Sequence, residues 1–150
     1  MERIIRNKYL RELIDLSGTP DIKVITGVRR CGKSVLLQQF EDYLKETEEY
    51  AIKKFKPNCH NVIMIDEIQL CDKFELAINS LHAKNQFDIY LTGSNAFLLS
   101  SDLETLFTGK VMEIKVFPFS FAEYVEYFNC ENTVDVFDEY VRVVCIVVFL

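Results

Sequence analysis

The stretch Gly27-Val-Arg-Arg-Cys-Gly-Lys-Ser34 decides how this chain folds. It fits the pattern G-x-x-x-x-G-K-[S/T], and its flanks supply the context that the pattern requires. Ahead of it, Asp21-Ile-Lys-Val-Ile-Thr26 is a short β-rich run ending in a small polar residue. Behind it, Val35-Leu-Leu-Gln-Gln-Phe-Glu-Asp-Tyr-Leu44 has helical spacing. A strand, a glycine-bearing turn and a helix N-terminus together make an anion cradle. The glycines let the backbone wrap a phosphate so that successive N–H groups converge on it. The positive end of the next helix adds to that field. On this reading Gly27, Val28, Arg29, Arg30, Cys31, Gly32, Lys33 and Ser34 form the phosphate-binding loop. Lys33 reaches the β- and γ-phosphates as a point charge, and the Ser34 hydroxyl ligates Mg²⁺. Arg29 and Arg30 are expected to stabilise the loop or to face solvent.

A second element completes such a site. Val62-Ile-Met-Ile-Asp66-Glu67 is an apolar run ended by two carboxylates. A strand of this kind delivers Asp66 to the carboxyl end of a parallel sheet, where ligands bind. Asp66 is then placed to hold Mg²⁺ opposite Ser34, and Glu67 to orient or deprotonate an attacking water. A third apolar run, Phe87-Asp-Ile-Tyr-Leu-Thr92, ends in Gly93-Ser-Asn95. Ser94 and Asn95, ahead of Thr92, are candidates to touch the γ-phosphate or the water; turn chemistry suits the same residues equally well.

The remaining chain alternates helices with these strands. Residues 3–16 carry Ile5, Tyr9, Leu13 and Leu16 at helical spacing, stopped by Gly18 and Pro20. The helix after the loop buries Leu36, Phe40, Tyr43 and Leu44 and is expected to reach about Glu49. Residues 50–55 suggest a short strand, and 56–60 a turn. Asp72 with Glu75 predicts a capped helix that buries Phe74, Ile78 and Leu81. Ser101 with Glu104 predicts a short one ending near Gly109. Val111 to Val116 alternates as a strand does, and Ser120 with Glu123 caps a helix bearing Phe121, Tyr124, Val125 and Phe128. Thr133 caps a last helix to about Arg142. Repeated β-α units imply an α/β fold with a mostly parallel sheet.

Composition sets bounds on function. A chain of 150 residues is one domain at most and can bury a real core. A net charge of −6 and a pI of about 5.0 argue against nonspecific nucleic-acid binding by the whole surface. Arg3, Arg6, Lys8 and Arg11, and separately Lys53, Lys54 and Lys56, read as solvated basic faces. Five cysteines, at 31, 59, 71, 130 and 145, include no C-x-x-C pair. Cys59-His60 with Cys71 is an incomplete zinc set, so free thiols in a reducing cytoplasm are expected. No apolar run reaches the ~20 residues of a spanning helix, and the N-terminus lacks a signal-peptide core.

With these elements in hand, the chain resembles the AAA-like P-loop ATPases of bacteria and archaea. The resemblance rests on Gly27 to Leu37, on Ile65-Asp-Glu-Ile-Gln69, on Leu91-Thr-Gly-Ser-Asn-Ala-Phe-Leu-Leu-Ser100, and on Thr108-Gly-Lys110 with Phe117-Pro-Phe-Ser-Phe-Ala-Glu123. It covers residues from about 3 to 142. It implies a sheet of additional-strand order, with the strand ending at Thr92 between those ending at Thr26 and Asp66. It implies ATP or ADP with Mg²⁺ as ligands, and leaves open a protein partner or self-association. Three departures stand out. Only about a dozen residues separate the helix after the loop from the Asp66 strand, where the family has a further strand and helix, so that edge of the sheet is expected to be reduced. Lys110 stands where the family usually has Arg, and a Lys lacks the two-donor fork that clamps phosphate. Residues 143–150, after a domain spanning 1–142, form an apolar tail that reads either as a truncated end or as a final buried strand.

Overall fold

The computed structural model describes residues 4–46, 61–94, 100–107 and 109–149. Four strands, β1 (Ile22–Thr26), β2 (Asn61–Ile65), β3 (Phe87–Thr92) and β4 (Val111–Lys115), form one sheet in the order β2-β3-β1-β4. Every pairing is parallel: Lys23 sits opposite Tyr90, Ile25 opposite Ile114, and Ile65 opposite Leu91. The strand ending at Thr92 therefore lies between those ending at Thr26 and near Asp66, the additional-strand order.

Strand periodicity splits the core into two layers. Ile25, Tyr90 and Ile114 turn to one face, where Tyr9 and Leu13 of α1 (Asn7–Asp15) and Leu36, Phe40 and Leu44 of α2 (Lys33–Glu46) cover them. Ile22, Val24, Ile89 and Leu91 turn to the other, against Phe74 and Ile78 of α3 (Phe74–Ala83) and Leu103 at α4 (Ser100–Leu106). Burying such a Leu or Ile stabilises the fold by about 1.5–3 kcal/mol each, so the two layers dominate cohesion. Among the described residues β2 is an edge strand, and all five of its residues are only half buried. Its continuous apolar run is the signature of a strand covered on both faces, yet cover is incomplete on this edge.

The chain finishes as a hairpin of α5 (Phe121–Phe128) and α6 (Val134–Phe149). Ser120 and Glu123 make the expected capping box on α5. Phe121 packs edge-on to Phe137, with ring centroids 5.1 Å apart, and the Tyr140 hydroxyl donates to Phe119 O at 2.8 Å.

Several boundaries differ from expectation. α1 begins at Asn7, and Ile5 is exposed outside it. α2 ends at Glu46 rather than Glu49, and the predicted strand and turn at 50–60 lie outside the described residues. Asp72 does not cap α3: Lys73 takes the N-cap position in left-handed backbone, without a side-chain cap. Residues 143–149 continue α6 instead of forming a strand. Thr133 accepts from the Val136 amide at 3.4 Å, and a helix so capped keeps its period through Phe137, Tyr140 and Val144. The β-branched residues that follow are weak strand formers in isolation, because their preference reflects a sheet surface to pack against.

Candidate functional site

The phosphate-type loop leaves the buried end of β1 and enters α2. Gly27 is required by space: a Cβ there would stand 2.4 Å from Val116 O and 2.6 Å from Cys31 Sγ. Arg30 (φ 65°) and Gly32 (φ 94°) adopt left-handed backbone. Alternation of hand along successive residues is what turns their N–H groups into an anion-binding nest. A Cβ on Gly32 would meet nothing within 4 Å, so the backbone is left bare on that side. Val28, Arg29 and Arg30 are exposed. Lys33, only 4% exposed, folds back over the loop and donates to Gly27 O and Val28 O, both at 3.0 Å. Cys31 is buried beside it, and that burial pushes the thiol pKa up against the opposing pull of the Lys33 charge.

The carboxyl ends of β2 and β3 bring the acidic residues to the same place. Ser34 Oγ donates to Asp66 Oδ1 at 3.0 Å, across 32 residues of chain. Thr92 Oγ1 donates to the same carboxylate oxygen and accepts from the Glu67 amide at 2.9 Å. Glu67 takes a left-handed conformation (φ 51°), which turns the chain sharply off the strand into the 3-10 turn Ile68–Leu70. Gln69 Nε2 donates to Glu67 Oε2. Ser34 and Asp66 are exposed, whereas Thr92 is fully buried.

Of the predicted cluster, Ser34 and Asp66 meet directly and the Glu67 backbone joins them through Thr92, while Lys33 bonds the loop's own carbonyls. Ser94 lies half buried two residues past the hydroxyl that contacts Asp66, and Asn95 lies outside the described residues. Thr92 ranks behind both on sequence, yet it carries the contacts. Strand order and register hold the signal for it: Ile65 pairs with Leu91, so the next residues, Asp66 and Thr92, must be neighbours. Gln69 has no such signal beyond its place in Asp-Glu-Ile-Gln. Lys110 is exposed and stands at the opening of β4, its carbonyl accepting from the Ile22 amide at 3.0 Å. That is the opposite end of β1 from the loop, roughly 16 Å away for a five-residue strand. A groove of about 640 Å³ runs beside the cluster between α2 and β2, lined by Ser34, Leu37, Glu41, Met64 and Asp66.

A loop between the central strand and a helix, with an acidic strand end facing it, defines a P-loop NTPase of the α/β class. A model of the AAA domain family matches residues 19–125, more than half of the chain. An uncharacterized protein of Haemophilus influenzae is 38% identical over 156 aligned residues, covering 86% of this chain and 39% of that protein. An uncharacterized protein of Methanocaldococcus jannaschii is 29% identical over 143 residues, covering 81% of this chain and 32% of that one. The chain belongs to the AAA domain family, a family of nucleotide-binding P-loop ATPase domains. It spans about two-fifths and one-third of the lengths of these two relatives. Among the described residues no helix is long and apolar enough to cross a membrane.

Proposed function

We propose that this domain binds Mg·ATP at the Gly27–Ser34 loop and hydrolyses it slowly. The observation that carries the reading is the Ser34 Oγ to Asp66 Oδ1 contact of 3.0 Å beside the loop. A hydroxyl and a carboxylate are hard oxygen donors of the kind Mg²⁺ takes, and each is exposed enough to exchange its present partner for a cation. Mg²⁺ so held would neutralise charge on the β- and γ-phosphates.

The chain's own residues supply the rest. Lys33 and the loop amides hold phosphate oxygens. Glu67 accepts a proton from water, with Gln69 fixing its carboxylate and Thr92 fixing its backbone. Slow turnover follows from the arginines. Arg6 is engaged on the loop's carbonyl side, and no hydrogen bond among the described residues fixes Arg29 or Arg30 at the Ser34–Asp66 cluster, so none of these three is held ready for the γ-phosphate. The same observation favours a second reading, a nucleotide-gated interaction module that binds without turnover.

Mg·ATP binding and phosphate release, measured together on the native chain, Lys33→Ala and Glu67→Gln, separate these readings. Lys33→Ala should weaken binding by about 100-fold or more, as expected for removing a phosphate-directed charge. Glu67→Gln should bind normally and release phosphate about 100-fold more slowly, the usual cost of losing a general base. Binding without release by the native chain would select the interaction module. A folded native chain that binds no nucleotide would sink both.

A further inference from the structure

Arg6 belongs to the N-terminal basic cluster, yet it is not a solvated charge: its side chain is 9% exposed. Its guanidinium makes four hydrogen bonds to three segments. Nε and Nη2 donate to Glu123 Oε1 and Oε2 at 2.8 and 3.1 Å. Nη1 donates to Phe117 O at 2.8 Å and to Cys31 O at 3.1 Å. The guanidinium carbon also lies 4.5 Å from the centroid of the Tyr9 ring. Glu123 is itself fixed, accepting from Ser120 N and Ser120 Oγ, both at 2.8 Å. Burial alone would raise the Glu123 carboxyl pKa, but Arg6 and Ser120 outweigh it and hold the group below its ordinary value.

The contact with Cys31 O falls at a sensitive peptide. The next residue is Gly32, at φ 94° and with no neighbour for a Cβ, so its own sterics do little to fix the Cys31–Gly32 peptide plane. In a planar trans peptide the C=O and the following N–H point in opposite directions. Holding Cys31 C=O toward Arg6 therefore turns the Gly32 N–H away from Arg6, to the far side of the loop.

We infer that Arg6 is a positioning residue for phosphate: pinned by Glu123, it holds the Cys31–Gly32 peptide with its N–H turned toward the bound anion. The inference rests on the nucleotide-binding reading above and adds regulation to it. Glu123 begins α5, so the loop and the α5–α6 hairpin are coupled through one side chain. Coupling is reciprocal: a partner that draws Glu123 from Arg6 weakens nucleotide binding, and nucleotide tightens the clamp by the same factor.

The test uses the full chain as native, Arg6→Lys, Glu123→Gln and Lys33→Ala. The probes are Mg·ATP and tripolyphosphate, with thermal unfolding and amide hydrogen exchange at Gly32. Lys keeps the charge, but one ammonium cannot span Glu123 and two carbonyls. Arg6→Lys should weaken both probes equally, about tenfold, the worth of one charge-assisted hydrogen bond. With tripolyphosphate bound, Gly32 should exchange faster than in the native complex, because its N–H is held less well against the anion, and Glu123→Gln should shift both readouts in the same direction by less. A lower melting temperature with native affinity in the folded protein would make Arg6 purely structural and overturn the inference. So would native affinity in Arg6→Lys while Lys33→Ala loses binding. If the native chain binds neither probe, or Lys33→Ala binds as the native chain does, the nucleotide reading fails and the inference falls with it.

Discussion

The two ends of the sheet each gather polar side chains, and they treat them in opposite ways. At the amino end, Lys23 of β1 and Asp88 of β3 are 0% and 2% exposed and pair at 2.5 Å. Lys23 also donates to Thr19 O at 2.6 Å, while Asp88 accepts from the Gly18 amide at 2.9 Å and the Tyr90 hydroxyl at 3.1 Å. At the carboxyl end, Asp66 is exposed and takes its hydrogen bonds from two neutral hydroxyls converging on a single oxygen. The first cluster is sealed, and its charges are matched within it. The second leaves a carboxylate in reach of solvent, held by the buried Thr92 hydroxyl and paired with an exposed Ser34 hydroxyl that a cation can replace. Burial and charge alone would mark Lys23 and Asp88 as the site, whereas accessible and replaceable partners point to Asp66.

The largest test of that contrast is Asp88→Ala. It strands a buried ammonium, which costs about 3–5 kcal/mol of stability. Denaturant unfolding should show that loss, while the folded fraction binds Mg·ATP within about twofold of native, because affinities respond little to mutations at distant, independent sites. If the variant does not fold, Asp88→Asn keeps two hydrogen bonds and gives the same comparison at lower cost. A loss of affinity comparable to that of Lys33→Ala would mean that the two ends are not separate.

Thr92→Val probes the other end, and its effect is smaller. The swap keeps volume but removes the hydroxyl that joins Asp66 to the Glu67 amide. Stability should fall by about 1–2 kcal/mol, because a part-buried amide loses its partner. The Mg²⁺ concentration that half-saturates ATP binding should rise about tenfold, the equilibrium cost of one such bond. A stability change alone, with unaltered Mg²⁺ dependence, would place Thr92 with the sealed cluster.

How much of this was legible in the sequence follows physical range. The loop, the acidic strand end and the Ser120–Glu123 capping box are local patterns, and they are found as predicted. The sheet order follows from the resemblance once the three strands are aligned. Contacts between distant segments were not legible. Nothing in the spacing pairs Arg6 with Glu123, 117 residues away, or Lys23 with Asp88, 65 away. Arg6 therefore read as a solvated charge, and Glu123 as a cap and no more. Thr92 is intermediate: its place beside Asp66 needs both strand order and register. The extension of α6 through residues 143–149 is not legible in the apolar tail, which fits a buried strand as well as it fits the helix it continues.

The smallest effect concerns the sealed cluster and pH. Burial raises the pKa of the Tyr90 phenol, and the Asp88 charge adds to the shift. The folded state thus holds that proton more tightly than the unfolded state, where the ordinary value is 10.0. Stability is therefore unaffected below that value and is lost as pH rises above it, because unfolding releases a proton that folding would have to take back. At half a pH unit above the ordinary value the loss from this one group is about 0.8 kcal/mol. Tyr90→Phe removes the hydroxyl and the pH term together. It should be the less stable protein at neutral pH, through the lost bond to Asp88, and the gap to the native chain should narrow by about that amount between pH 8 and 10.5. A gap that stays constant would mean that the phenol is not sealed, and that solvent reaches the amino-end cluster as it reaches Asp66.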